Sequence, residues 1–174
     1  MDETQPTGLA QLDVLVVDDN PHSQAIIKTI LHGLGVGRVR PVKDAGSAFR
    51  EMRSARPDIV FVDWLMDPLD GLDFVRLLRK SEDSPDPLVP IVMLTGYSHA
   101  HRVKEARDAG VTDFLAKPVS AQSVAEKLAD VIRHPRAFIR SPRYVGPDRR
   151  RRSRPHDGPE RRASAAPAGA GGDE

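Results

Sequence analysis

LDVLVVDDNP, residues 12–21, is the stretch whose reading decides the fold. Residues 12–17 are a nearly unbroken apolar run, as required of a parallel strand covered on both faces. The run breaks into two acids, Asp18 and Asp19, and then into Asn20-Pro21. Asn20 has the side chain of a helix N-cap, and Pro21 suits the first helical position. Ile26, Ile27, Ile30 and Leu34 continue at helical spacing and predict an inward face. Ten residues thus read as a strand, an acidic turn and the start of a helix.

The same unit recurs four times. Apolar runs at 36–42, 58–62, 88–94 and 112–116 are strand-sized and not alternating. Between them, 44–55 predicts a helix stopped by Pro57, and 72–80 a helix with Phe74, Leu77 and Leu78 inward. A fourth helix starts near Ser98 and stops at Gly110, which suits a left-handed cap. A fifth starts at Ser120, carries Val124, Leu128, Val131 and Ile132 on one face, and ends before Pro135. Five βα units predict right-handed crossovers and a doubly wound α/β fold. Functional residues are then expected at the carboxyl ends of the strands, where strand order reverses.

Those ends carry Asp18-Asp19, Asp63, Thr95 and Lys117-Pro118. With strand order 2-1-3-4-5, three carboxylates converge. Acids packed together repel, and a shared cation relieves them. Hard oxygen ligands suit Mg²⁺, which binds through one or two carboxylates and keeps water. A lysine and a threonine hydroxyl arriving from the other side add a charge and a donor for a phosphoryl group. The set fits phosphoryl transfer to an aspartyl acceptor.

At these residues the sequence resembles the receiver domains of bacterial response regulators, the chemotaxis-type, flavodoxin-like fold with a five-stranded parallel sheet. VVDDN (16–20), FVDW (61–64), LDG (69–71), MLTG (93–96) and FLAKP (114–118) carry the resemblance. It covers residues 11–133, read as the receiver domain. The resemblance implies Asp63 as phosphoacceptor and Asp19 as direct Mg²⁺ ligand. Asp18 would hold the ion mainly through water, and the Leu65 carbonyl would add a ligand. It also implies a Thr95 hydroxyl on the phosphoryl group, a Lys117 ion pair, and a cis bond before Pro118. Phe114 falls at the position of an aromatic rotamer switch, although an aromatic there is also ordinary core. One departure is visible: receivers usually place proline four residues after the phosphoacceptor, whereas here Pro68 comes one place later, after Met66-Asp67. This predicts a changed loop shape with the chemistry intact. Leu65 and Tyr97 flank the expected approach of hydrolytic water, and neither side chain suits orienting it. Slow decay of the phosphorylated state is expected.

The resemblance implies a two-component or phosphorelay switch acting by contact, a phosphoprotein and not an enzyme. Its donor would be a sensor histidine kinase or a histidine phosphotransfer protein, its target another protein. A homodimer through the helix 4–strand 5–helix 5 face stays open. The alternative is a transcription regulator that binds DNA through a basic tail. An aspartate-based phosphohydrolase would want Asp-x-Asp after the first strand, where this chain has Asp18-Asp19-Asn20. A dinucleotide-binding protein would want a glycine-rich loop there.

Of 174 residues, none is cysteine, which excludes disulfides and thiolate sites. No metal-ligand spacing joins the six histidines. The start of the chain lacks a signal-peptide pattern and no apolar run is long enough to insert in a membrane, so a cytoplasmic protein is expected. The net charge of +1 conceals a division. Through Arg133 there are 16 Lys and Arg against 20 Asp and Glu; residues 134–174 hold 10 Arg and 5 acids. This Arg/Pro/Gly-rich tail shows no hydrophobic period and is expected to be largely disordered. Its arginines could be a solvated extension, dock on an acidic surface, or contact nucleic acid; the last is disfavoured because nothing specifies bases.

Overall fold

The computed structural model describes residues 8–96 and 101–149. After a 3₁₀ turn at Gly8–Gln11, strands and helices alternate: β1 (Asp13–Val17), α1 (Pro21–Gly33), β2 (Arg38–Val42), α2 (Ala45–Ser54), β3 (Ile59–Asp63) and α3 (Gly71–Lys80). There follow β4 (Ile91–Thr95), α4 (Val103–Ala109), β5 (Asp113–Ala116) and α5 (Ala121–Arg133). The five strands form a parallel sheet in the order 2-1-3-4-5, the flavodoxin-like receiver topology.

Local chemistry sets the helix starts. Asn20 accepts from the backbone N–H of His22 and Ser23, with Pro21 opening α1. Asp44, Asp70 and Ser120 cap α2, α3 and α5 in the same way. Gly110 ends α4 at φ 106°, in the left-handed region where glycine pays no steric penalty. The core lies on both faces of the sheet. Leu15, Val17, Val60, Val62 and Met93 point to the α2–α3 side, and Val14, Val16, Phe61, Val92 and Leu94 to the α1–α5 side. That two-sided burial is why β1 and β3 are unbroken apolar runs.

Three residues expected inward are exposed: Ile26, Leu77 and Ile132. In α1, Ile27 and Leu31 take the buried stripe, and Ile26 lies one step round the helix. In α5 the stripe is Val124 and Leu128. In α3 the exchange is more informative, because Arg79 is only 2% exposed while Leu77 faces solvent.

The burial of Arg79 is explained by a short structured stretch within the first part of the tail. β6 (Phe138–Ser141) and β7 (Tyr144–Pro147) form an antiparallel hairpin. It packs on the ends of α3 and α4, covering a surface that would otherwise be solvent. Arg79 lies beneath it, donating from Nε to the Gly110 carbonyl at 3.0 Å and from Nη1 to the Pro87 carbonyl at 2.8 Å. Its guanidinium carbon is 5.1 Å from the Phe138 ring centroid, within cation–π reach. Arg149 closes the hairpin onto α4, 2.7 Å from Asp108 and 3.9 Å from the Tyr144 ring centroid. The rest of the tail, 150–174, and the expected start of α4 at Ser98 lie outside the described residues.

Candidate functional site

Strand register builds the site. Val17 pairs with Val62, so Asp18 and Asp63 leave neighbouring strands side by side. Asp63 pairs with Leu94, and Thr95, one step on, pairs with Ala116. Lys117 therefore emerges just beyond Thr95, and its N–H donates to the Thr95 carbonyl at 2.8 Å.

The structure brings Asp18, Asp19 and Asp63 together, with a carboxylate oxygen from each within 4.8 Å of the others. Asp18 is fully buried and held by the Asn20 N–H at 2.9 Å and the Ser23 hydroxyl at 2.5 Å. Asp19 is exposed and accepts from the Asp67 N–H at 3.3 Å. Lys117 Nζ lies 2.7 Å from Asp63 Oδ1 and 3.7 Å from Asp18 Oδ2. Burial raises the Asp63 carboxyl above the ordinary range against the pull of Lys117, and Asp18 adds to the rise.

Two carboxylates at such separations repel by roughly 3 kcal/mol at an effective dielectric near 20. Three carboxylates facing one ammonium leave an excess of two negative charges. All the free donors are hard oxygens, so the set fits a divalent cation of the Mg²⁺ type.

The loop after β3 shapes the rim. Leu65 is 61% exposed, while its neighbours Trp64 and Met66 are buried. The Gly71 N–H closes the loop on the Trp64 carbonyl at 2.8 Å. Asp67–Pro68 is a cis peptide, and the Asp67 N–H of this loop donates to Asp19. Lys117–Pro118 is also cis. Thr95 and Phe114 are half-buried, and the Arg107 guanidinium sits 5.9 Å from the Phe114 ring centroid. Tyr97 lies outside the described residues. Sequence reading passed over Ser23, which fixes Asp18; its signal was a hydroxyl in the first turn of the helix after the acid pair.

Comparison with known proteins agrees with this geometry. The family model of the response regulator receiver domain matches residues 14–129. The chain is 30% identical over 120 residues to the chemotaxis protein CheY of Pseudomonas aeruginosa, covering 69% of this chain and 95% of that protein. It is similar in structure to the Vibrio cholerae chemotaxis protein CheY4, with TM-score 0.62 and 27% identity over 69% of this chain and 98% of that one. A third likeness, with TM-score 0.59 and 32% identity, is to the receiver domain of a Pseudomonas aeruginosa sensor histidine kinase. That structure holds a magnesium ion in its active-site cleft, and the match covers 68% of this chain and 94% of that one.

Proposed function

The chain belongs to the response regulator receiver domain family, and on that premise we propose that it is a switch thrown by phosphorylation of Asp63. The observation that carries this reading is the placement of Lys117 Nζ 2.7 Å from Asp63 Oδ1 beside two further carboxylates. A carboxylate oxygen of Asp63 attacks the phosphorus of a phosphohistidine on a sensor kinase or phosphotransfer protein. An O–P bond forms as the N–P bond breaks, and the imidazole leaves with the electron pair.

Asp19 would hold Mg²⁺ directly and Asp18 mainly through water, with Asp63 and the Leu65 carbonyl completing the protein's share. The ion, when bound, neutralises charge on the phosphoryl oxygens. Lys117 transfers its ion pair from Asp63 to the phosphoryl group, and the Thr95 hydroxyl donates to another of its oxygens. Phe114 follows Thr95, and the α4–β5–α5 face changes the contacts it offers. The output is protein contact, and no catalysis on a further substrate is needed.

The test uses the full chain with Mg²⁺ and acetyl phosphate. Intact mass should rise by one phosphoryl group, and Asp63→Asn should abolish the rise. Normal, acid-stable labelling of Asp63→Asn at another residue would falsify the assignment.

A further inference from the structure

The hairpin does more than cover Arg79: with the end of α3 it walls a groove of about 750 Å³. Its lining is strongly one-signed. Arg56, Lys80, Arg140 and Arg143 contribute cations from two sides, and Glu82 is the carboxylate among the lining residues. All four cations are exposed, and none forms an ion pair with another described residue. Arg79 also lines the groove, buried, with Nε and Nη1 on carbonyls and Nη2 without a hydrogen-bond partner among the described residues. No carboxylate among the described residues forms a direct ion pair with this buried guanidinium, and Asp86 offsets its charge only from a distance, so the groove floor keeps a positive character. A second cavity on the other flank of the hairpin differs: its arginines face Asp108, Asp130 and Asp148, and Arg149 is already paired.

We propose that this groove is a binding site for a small anion carrying two or more phosphates. Several guanidinium groups around one space suit phosphate oxygens, which they bind bidentately. A compact ligand with multiple charges answers so many cations in a groove of this size, which is within the range of small-molecule sites. Eight of the lining residues come from the receiver and six from the hairpin. The ligand therefore bridges α3 to the tail, and binding and hairpin docking reinforce one another. The site is remote from the Asp63 cluster and stands whether or not Asp63 is phosphorylated.

Calorimetric titration of the full chain at about 0.15 M salt, where weak surface attraction is screened, tests the site. Pyrophosphate, ATP and a short single-stranded DNA are the three probes. Saturable 1:1 binding of pyrophosphate or ATP is expected, weakened about tenfold or more by Arg140→Ala/Arg143→Ala, the loss typical of removed charge-assisted contacts. Equal affinity for the two probes assigns the phosphates alone; tighter ATP assigns a nucleotide. Both substituted side chains are exposed, and an unchanged melting temperature verifies that the fold is intact. No saturable binding of either phosphate probe, equal affinity in the variant, or binding of DNA alone overturns the proposal.

Discussion

Lys117 reaches two carboxylates at once, lying 2.7 Å from Asp63 and 3.7 Å from Asp18, so one ammonium restrains the repulsion of both. Lys117→Ala removes that restraint, and it also removes the group that would follow the phosphoryl oxygens. The variant should still take up a phosphoryl group from acetyl phosphate, while losing the response of β5 and α4 to it. Amide spectra with and without beryllofluoride decide the matter. A full wild-type pattern of shifts in the variant sinks this assignment.

In the wild type, the same experiment locates the switch. Thr95 and Phe114 lie on adjacent strands that end together, and the Arg107 side chain of α4 approaches the Phe114 ring. A local charge needs a two-state element to act at a distance, and this threonine–aromatic pair is the candidate. Beryllofluoride should shift amides from α4 through α5, Phe114 included. Shifts restricted to the loops after β1 and β3 count against it.

Gly71 is the point where α3 touches the site. A β-carbon there would run into the Asp63 carbonyl, with the Trp64 Cα 3.2 Å away. Both are backbone atoms at a fully buried strand end, so they cannot swing aside. Gly71→Ala should cost about 1–3 kcal/mol, the usual range for overpacking, and should slow labelling of Asp63 by displacing it. A thermal melt and a labelling time course measure the two effects. Wild-type values in both show that the loop yields more easily than its packing suggests.

What could be read from sequence follows from where the forces are local. Runs such as 12–17 and caps such as Asn20 and Ser120 act within a few residues, so the sheet, the helix starts and the acid cluster were legible. Arg79 was passed over because its burial is decided by a hairpin some sixty residues later in the chain, while Leu77, expected inward, faces solvent. No helical period on α3 can report that. The hairpin was itself missed because Phe138, Ile139, Tyr144 and Val145 are scattered among arginines, and packing against α3 and α4 half-buries Phe138, Tyr144 and Val145 while Ile139 stays exposed. Ser23 escaped notice because its bond to Asp18 needs three dimensions to be seen.

The hairpin's attachment can be tested at Gly146. A β-carbon there would lie 2.6 Å from the Tyr144 hydroxyl oxygen and 2.8 Å from the Gly110 Cα. The second neighbour is backbone, so Gly146→Ala should lift the hairpin from α4. Amides at the end of α3 around Arg79 should then exchange faster, with labelling of Asp63 unchanged. Unaltered exchange there shows that the hairpin accommodates the methyl group in place.

Stability of α2 should fall with acid in a defined way. Asp44 caps the helix by accepting from the Ser47 N–H at 2.7 Å, and that bond holds its carboxyl below the ordinary value. A depressed folded-state pKa stabilises above the unfolded value, near 4, and the gain is lost as pH falls through the folded one. Asp44→Ala should cost about 1 kcal/mol at neutral pH, as for other N-caps. The difference from wild type should shrink below about pH 4. A gap that persists undiminished at low pH locates the effect in packing and not in the charged cap.

Lifetime of the phosphoryl group should depend on Leu65. Hydrolysis needs a water in line with the phosphorus, on the side away from Asp63, and Leu65, two residues beyond Asp63 and 61% exposed, is the residue expected to flank that approach. It can neither donate nor accept a hydrogen bond, so a water beside it is left unoriented. Leu65→Asn introduces both a donor and an acceptor there. Recovering an oriented water is worth about 1–3 kcal/mol of barrier, roughly ten- to a hundredfold in rate. The exposure of Leu65 means the substitution disturbs little packing, so stability should change by less than about 0.5 kcal/mol. Decay of the labelled protein after removal of acetyl phosphate, followed for wild type and Leu65→Asn side by side, measures the effect. Equal half-lives in the two proteins show that Leu65 does not govern the water, and the slow-decay expectation then loses its support.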